Sequence, residues 1–181
     1  AVIGHKNSFI SIPVSAIYDE AGIVMLSPAS TSPELTEKGY KNIFRMITDD
    51  NEIAQAIAAY IADEGHQRIV VYYSDDSYGI DLANSFEDRA KEYGIIVVDR
   101  FKYYQNKNDL MLLEKRWKAF GYDGIFIASS ANEGANLIKI SGEANIRKPM
   151  FSGNSLDVDL VKNIAGDFAE GLVVASVFDK D

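Results

Sequence analysis

The chain has 181 residues, 47% of them hydrophobic, with a formal net charge of −9 and no cysteine. This composition supports a buried core and excludes a disordered segment. The acidic balance excludes a nucleic-acid groove, and the absence of Cys excludes disulfides, thiolate metal sites and a Cys nucleophile. No apolar run approaches the roughly 20 residues that span a bilayer, and no signal-peptide pattern opens the sequence. The length fits one domain or two small ones.

In chain order, residues 2–4 read as a short strand and 6–8 as the loop after it. A chain that opens directly on a strand suggests a piece cut from something longer. Phe9, Ile10, Pro13, Val14, Ile17 and Tyr18 recur at three- and four-residue steps, which predicts a helix over 8–20 with these residues on one face. Pro13 is expected to end, bend or start a turn of it, and Gly22 to close it. A strand over 23–26 stops at Ser27-Pro-Ala-Ser-Thr31. That loop of small groups reads either as a plain turn or as backbone N–H groups and hydroxyls able to approach a ligand carboxylate. Residues 42–47 are a third extended segment. Asp49 and Glu52 then form a capping box, ahead of a helix face made by Ile53, Ile57, Tyr60 and Ile61 and ended by Gly65.

The second half alternates in the same way. Strands are predicted over 68–73, 95–98, 123–128, 149–152 and 171–177. Between them lie helices carrying Leu82, Phe86, Ala90 and Tyr93; Leu110, Leu113, Trp117 and Phe120, capped by Asn108; Ala135, Leu137, Ile138 and Ser141; and a short one over 156–164. Such alternation specifies an α/β fold, a parallel sheet flanked by helices on both faces. Ligands of such sheets sit beyond the carboxyl ends of the strands. Here those ends are 6–8, 27–31, 74–78, 129–132 and 153–157, rich in Ser, Asn, Asp and Thr and carrying Tyr78.

No catalytic constellation accompanies them. Glycine-rich phosphate motifs and a nucleophile elbow are missing, and the sequence has only two histidines, His5 and His66. Asp75 and Asp76 would suit a metal pair or a phosphoacceptor pocket only with further carboxylates and a strand-end Lys, so they read as a loop and helix start. Asp49 and Asp50 receive the same reading, and Glu133 that of a first-turn acid. The pairs Tyr72–Tyr73 and Tyr103–Tyr104 read as strand packing, each pair pointing to opposite faces. The residues indicate binding rather than catalysis, with no cofactor and no metal.

Val2-Ile-Gly-His5, Tyr18-Asp-Glu-Ala-Gly-Ile23 and Met25-Leu-Ser-Pro-Ala-Ser-Thr-Ser-Pro-Glu-Leu-Thr36 closely resemble the leucine/isoleucine/valine-type periplasmic binding proteins of ABC transporters. Gly39-Tyr-Lys-Asn-Ile-Phe-Arg45, Arg68-Ile-Val-Val-Tyr-Tyr-Ser-Asp-Asp-Ser-Tyr-Gly79 and Ile164-Ala-Gly-Asp-Phe-Ala-Glu-Gly-Leu172 continue the resemblance in order. It implies two α/β lobes that close on a ligand by a hinge. It also implies a chain about twice this length, so this one reads as a fragment. Residues 1–47 would be a partial first lobe, 48–178 the second lobe, and 179–181 the start of the crossover back.

The resemblance assigns ligand contacts residue by residue. Ser8 would bind the ligand carboxylate, Ala29 would present its backbone, and Ser30 and Thr31 would line the loop beside it. Tyr78 would cover the ligand on closure. Two positions depart from the branched-chain pattern: Ser130 stands where a tyrosine is expected, and Asn154 where a glutamate would pair with the ligand ammonium. An amide cannot neutralise that charge, so either Asp157, Asp75 or Glu133 supplies it or the ligand has no ammonium group. A carboxylate-bearing ligand, an amino acid or organic acid, is therefore expected, with leucine disfavoured. The implied partners are that ligand and an ABC permease, not nucleic acid. The implied place is periplasmic or extracellular, with a lipid anchor as one means of keeping the parent protein there. The same fold also serves ligand-sensing ectodomains of receptors and histidine kinases. Open strand edges in the partial lobe suggest pairing between two copies.

Overall fold

The computed structural model describes residues 1–102 and 107–177. Tyr103, Tyr104 and the expected crossover at 179–181 lie outside the described residues.

Two parallel sheets form. The first comes from β1 (Val2–Ile3), β2 (Met25–Ser27) and β3 (Ile43–Arg45), in the order β1-β2-β3. Helices α1 (Ser8–Glu20) and α2 (Glu34–Glu37) make its connections. The second has β4 (Arg68–Tyr73), β5 (Ile96–Lys102), β6 (Gly124–Ala128), β7 (Met150–Ser152) and β8 (Val173–Val174), in the order β5-β4-β6-β7-β8. Helices α3 (Asp50–Asp63), α4 (Ser77–Glu92), α5 (Lys107–Ala119), α6 (Ala131–Glu143) and α7 (Asp159–Ala165) accompany it. We call the β1–β3 group the first unit and everything from α3 onward the second.

The second sheet is buried on both faces, as a parallel sheet requires. On one face, Val70, Tyr72, Ile125 and Ile127 pack with Trp117, Leu137 and Ile138. On the other, Ile69, Val71 and Phe126 pack with Ile53, Ile57, Leu82 and Phe86. Tyr72 and Tyr73 do point apart: Tyr72 meets Phe101 edge-on at 5.1 Å, and Tyr73 lies under the Arg100 guanidinium at 4.3 Å. The predicted cap of α3 forms, because Asp49 Oδ1 accepts from the N–H groups of Asn51 and Glu52 at 3.0 and 3.1 Å. Glu52 turns back to the Thr48 hydroxyl instead of closing the box on the Asp49 N–H.

Several elements differ from expectation. The predicted apolar face of α1 is not its buried one. Ser8, Ser11, Ile12 and Ser15 face inward, while Phe9, Ile10 and Ile17 are exposed. The reason is local: Ser11 has to reach the first-unit loop, and small residues allow that approach. Pro13 lies inside α1 without ending it. Strand β5 runs further than predicted, to Lys102. The region predicted as one short helix is instead a 3-10 turn over Asn154–Leu156, then α7, then a second 3-10 turn over Gly166–Ala169.

Candidate functional site

The loop after β2 is built from mutually bonded hydroxyls. Ser30 Oγ lies 2.6 Å from Ser11 Oγ and 3.0 Å from the His5 carbonyl, so Ser11 can donate to Ser30 and Ser30 to His5. The Ser30 N–H donates to Ser27 Oγ at 3.3 Å. Ser8, the first residue of α1, accepts from the Ser32 N–H at 3.3 Å. Ala29 is half-buried at the bend between Pro28 and this network. Ser8, Ser30 and Thr31 are thus brought into one corner. Within it, Thr31 stands apart, since its Oγ1 is buried and meets no well-formed hydrogen bond.

Thr31 leads to a residue that sequence reading assigned to capping. Its carbonyl accepts from the Asp50 N–H at 2.9 Å. Asp50 is 0% exposed, and neither carboxylate oxygen makes a well-formed hydrogen bond. Burial pushes its pKa up to about 7. The nearby Thr31 hydroxyl opposes that rise, Asp81 and Asp49 add to it, and Arg45 counters it. A buried carboxylate with both oxygens unfilled is costly and calls for a cation or a set of donors. The sequence did carry a signal. Asp49 alone suffices as the cap, and the buried stripe Ile53, Ala54, Ile57 extends one turn back to Asp50.

From the second unit come Tyr78 and Asn154. Asp76 caps α4 by accepting from the Gly79 N–H at 2.9 Å, which fixes the first turn that carries Tyr78. The Tyr78 hydroxyl donates to Asn154 Oδ1 at 3.4 Å. Burial, then the charge of Asp50, raises its pKa, while Ser155 beside it lowers it, so Tyr78 stays a neutral donor. Gly153 makes this approach possible: a Cβ there would stand 2.8 Å from Leu82 and 3.2 Å from the Tyr78 hydroxyl. Ser155 ties the same segment to the loop after β6 by donating to the Ser129 carbonyl at 2.7 Å.

Other candidates are engaged elsewhere. Ser130 is exposed at the N-cap of α6, where it exchanges hydrogen bonds with Glu133. Asp75 pairs with Lys102 at 2.8 Å, the strand-end lysine that the sequence had not shown to be within reach. His5 stacks on Tyr18 in the first unit, so the structure does not join it to Asp75. Two cavities, of about 570 and 390 Å³, open around α7 and the second 3-10 turn. Neither is lined by Thr31, Asp50, Tyr78 or Asn154. The unpaired buried oxygens mark the junction of the two units as the better candidate.

Comparison with known proteins is consistent along the whole chain. A family profile described as "Periplasmic binding protein" matches residues 1–181. The Leu/Ile/Val/Thr-binding protein of Salmonella typhimurium is 32% identical over 174 residues, covering 96% of this chain and 48% of that protein. The Leu/Ile/Val-binding protein of Escherichia coli K12 is 31% identical, covering 96% and 47%. The chain therefore spans about half the length of the curated relatives it matches. Among solved structures, an ABC transporter substrate-binding protein from Desulfitobacterium hafniense in complex with Leu is 53% identical. It superposes with a TM-score of 0.87 over 99% of this chain and 51% of the other. A leucine binding protein from Thermotoga maritima gives 0.88 at 25% identity, covering 96% and 50%.

Proposed function

Since the chain belongs to the periplasmic binding protein family, we propose that it contributes half of a cleft that captures an α-amino acid outside the cytoplasmic membrane for an ABC transporter. The observation that carries this reading is Asp50, a buried carboxylate neither of whose oxygens makes a well-formed hydrogen bond. It lies beside the Thr31 hydroxyl, which approaches it loosely and lowers its pKa, and close enough to Tyr78 to raise the pKa of that phenol. Asp50 replaces the negative charge that Asn154 lacks, so the argument against an ammonium-bearing ligand loses its basis. Ser8, the Ala29 backbone and Thr31 take the ligand carboxylate end, with Ser30 holding their loop in shape. Tyr78 and Asn154 close from the second lobe. Ser130, where a tyrosine was expected, leaves a more open wall on that side. The Leu complex of the 53% identical relative supports an apolar amino acid as ligand.

Calorimetric titration of the protein in its full natural length tests this. Leucine and related α-amino acids should bind, and the same carboxylic acids without the ammonium group should bind roughly ten- to a hundredfold more weakly, as a charge-assisted hydrogen bond predicts. Asp50→Asn should erase most of that difference. A folded protein that binds neither class, or binds both equally, would overturn the reading.

A further inference from the structure

Beyond the Asp50–Thr31 backbone bond at the start of α3, a short side-chain hydrogen bond joins the two units. Ser32 Oγ donates to Asp81 Oδ2 at 2.5 Å, between the first-unit loop and α4. Each partner is firmly placed. The Ser32 N–H is held by Ser8, and its carbonyl accepts from Arg45 Nη1 at 2.9 Å. Arg45 is itself paired with Asp49, the cap of α3, at 3.2 Å. On the other side, Asp81 stands one turn after Tyr78 on α4, on the same helix face. Helices α1 and α4 approach each other at this place.

The bond offsets an unfavourable setting for the Asp81 carboxylate. Asp81 is half-buried, with Glu34 from α2, Asp76 from the start of α4 and Asp50 from α3 as its acidic neighbours. Without the Ser32 hydroxyl, nothing in that set favours its charge. With it, the carboxylate gains a charge-assisted hydrogen bond, one of the stronger kinds. We propose that Ser32 and Asp81 form a latch that holds the two units closed over the ligand without touching it. The latch rests on the amino-acid-binding reading for its ligand, but not for its geometry. Ser32 and Asp81 are positioning residues: they set affinity by stabilising the closed arrangement, and so slow dissociation. They also link the carboxylate seat to closure, because Ser8 supports the backbone of Ser32.

The test uses the full natural chain and four variants: Ser32→Ala, Asp81→Ala, the double variant, and Asp81→Asn, which keeps an acceptor oxygen. Leucine affinity and dissociation rate are measured by stopped flow. The distance between spin labels on α2 and α5 is measured with and without leucine. Each alanine variant should speed dissociation roughly ten- to a hundredfold with association unchanged. The double variant should be no worse than either single one, Asp81→Asn should recover most of the loss, and the closed distance should be less populated. Equal dissociation rates and distances in wild type and variants would overturn the latch. If the wild type binds no amino acid, the functional reading falls and the label distances alone judge the latch.

Discussion

The two units bury themselves to different degrees. In the second, apolar side chains cover both faces of the sheet, and β6 is fully buried along its length. The first has a small core of Ile12, Met25, Leu35 and Ile43. It leaves Ile3, Met46 and Ile17 at 78, 64 and 62% exposure. Yet the more weakly packed unit carries the tighter polar network, the hydroxyl chain through Ser11, Ser30 and His5. The site therefore joins a loop ordered by hydrogen bonds to helix starts ordered by a core. Its geometry depends most on the unit with the least hydrophobic support.

The largest expected effect breaks the stronger side. Phe86 and Phe126 stack at 4.0 Å inside the second unit, so Phe126→Ala should cost about 3–5 kcal/mol in chemical denaturation. Hydrogen exchange should show the loss across the second sheet, while Ile43→Ala should raise exchange only in the first. If both substitutions opened both units equally, the contrast would not hold.

Asp50 comes next. Its folded-state pKa is raised to about 7 from 3.8. Between those values the unfolded chain holds fewer protons than the folded one, so stability falls as pH rises. The contribution is complete below about pH 4 and gone above about 7, a change of about 4 kcal/mol. Denaturation of Asp50→Asn at pH 5 and 8 should show a flatter dependence than the unsubstituted chain. Leucine, by neutralising the carboxylate, should bind more tightly at pH 8 than at pH 5.5.

A smaller change sharpens the site. Asn154→Glu adds a carboxylate under the Tyr78 hydroxyl and should favour ammonium-bearing ligands by about tenfold. An unchanged ligand profile would place Asn154 outside the cleft. The smallest effect concerns the uncovered face. Met46→Lys should alter stability by no more than about 0.5 kcal/mol but lower any self-association seen by sedimentation, by placing charge on an apolar surface.

Much of this was legible in the sequence because strand and helix alternate with different periods. The cap at Asp49, the apolar runs of β4 and β6 and the polar strand ends could be read directly. What composition and capping preference did not separate was which of two adjacent acids turns inward. Asp49 and Asp50 have the same side chain and the same helix-start preference, and only the stripe through Ile53, Ala54 and Ile57 tells them apart. Residues Ser32 and Asp81 were missed for a related reason. They are 49 positions apart, each is an ordinary residue of its own segment, and only the third dimension pairs them. In α1, periodicity selected the apolar stripe correctly but could not tell that the serines, drawn to the loop, would be the buried side.

The order of the second sheet also bears on how the chain folds as it is made. Strand β4, apolar on both faces, leaves synthesis before its two neighbours, β5 and β6. Every pairing is parallel, so each needs a helical crossover before a single ladder bond can form. The pairing of Tyr73 with Ala128 waits until more than fifty further residues have emerged. Until then β4 has one side open, and at about 5–20 residues per second that gap lasts for seconds. A chain with this order is expected to fold slowly for its size and to gain most from a chaperone during the interval between β4 and β6.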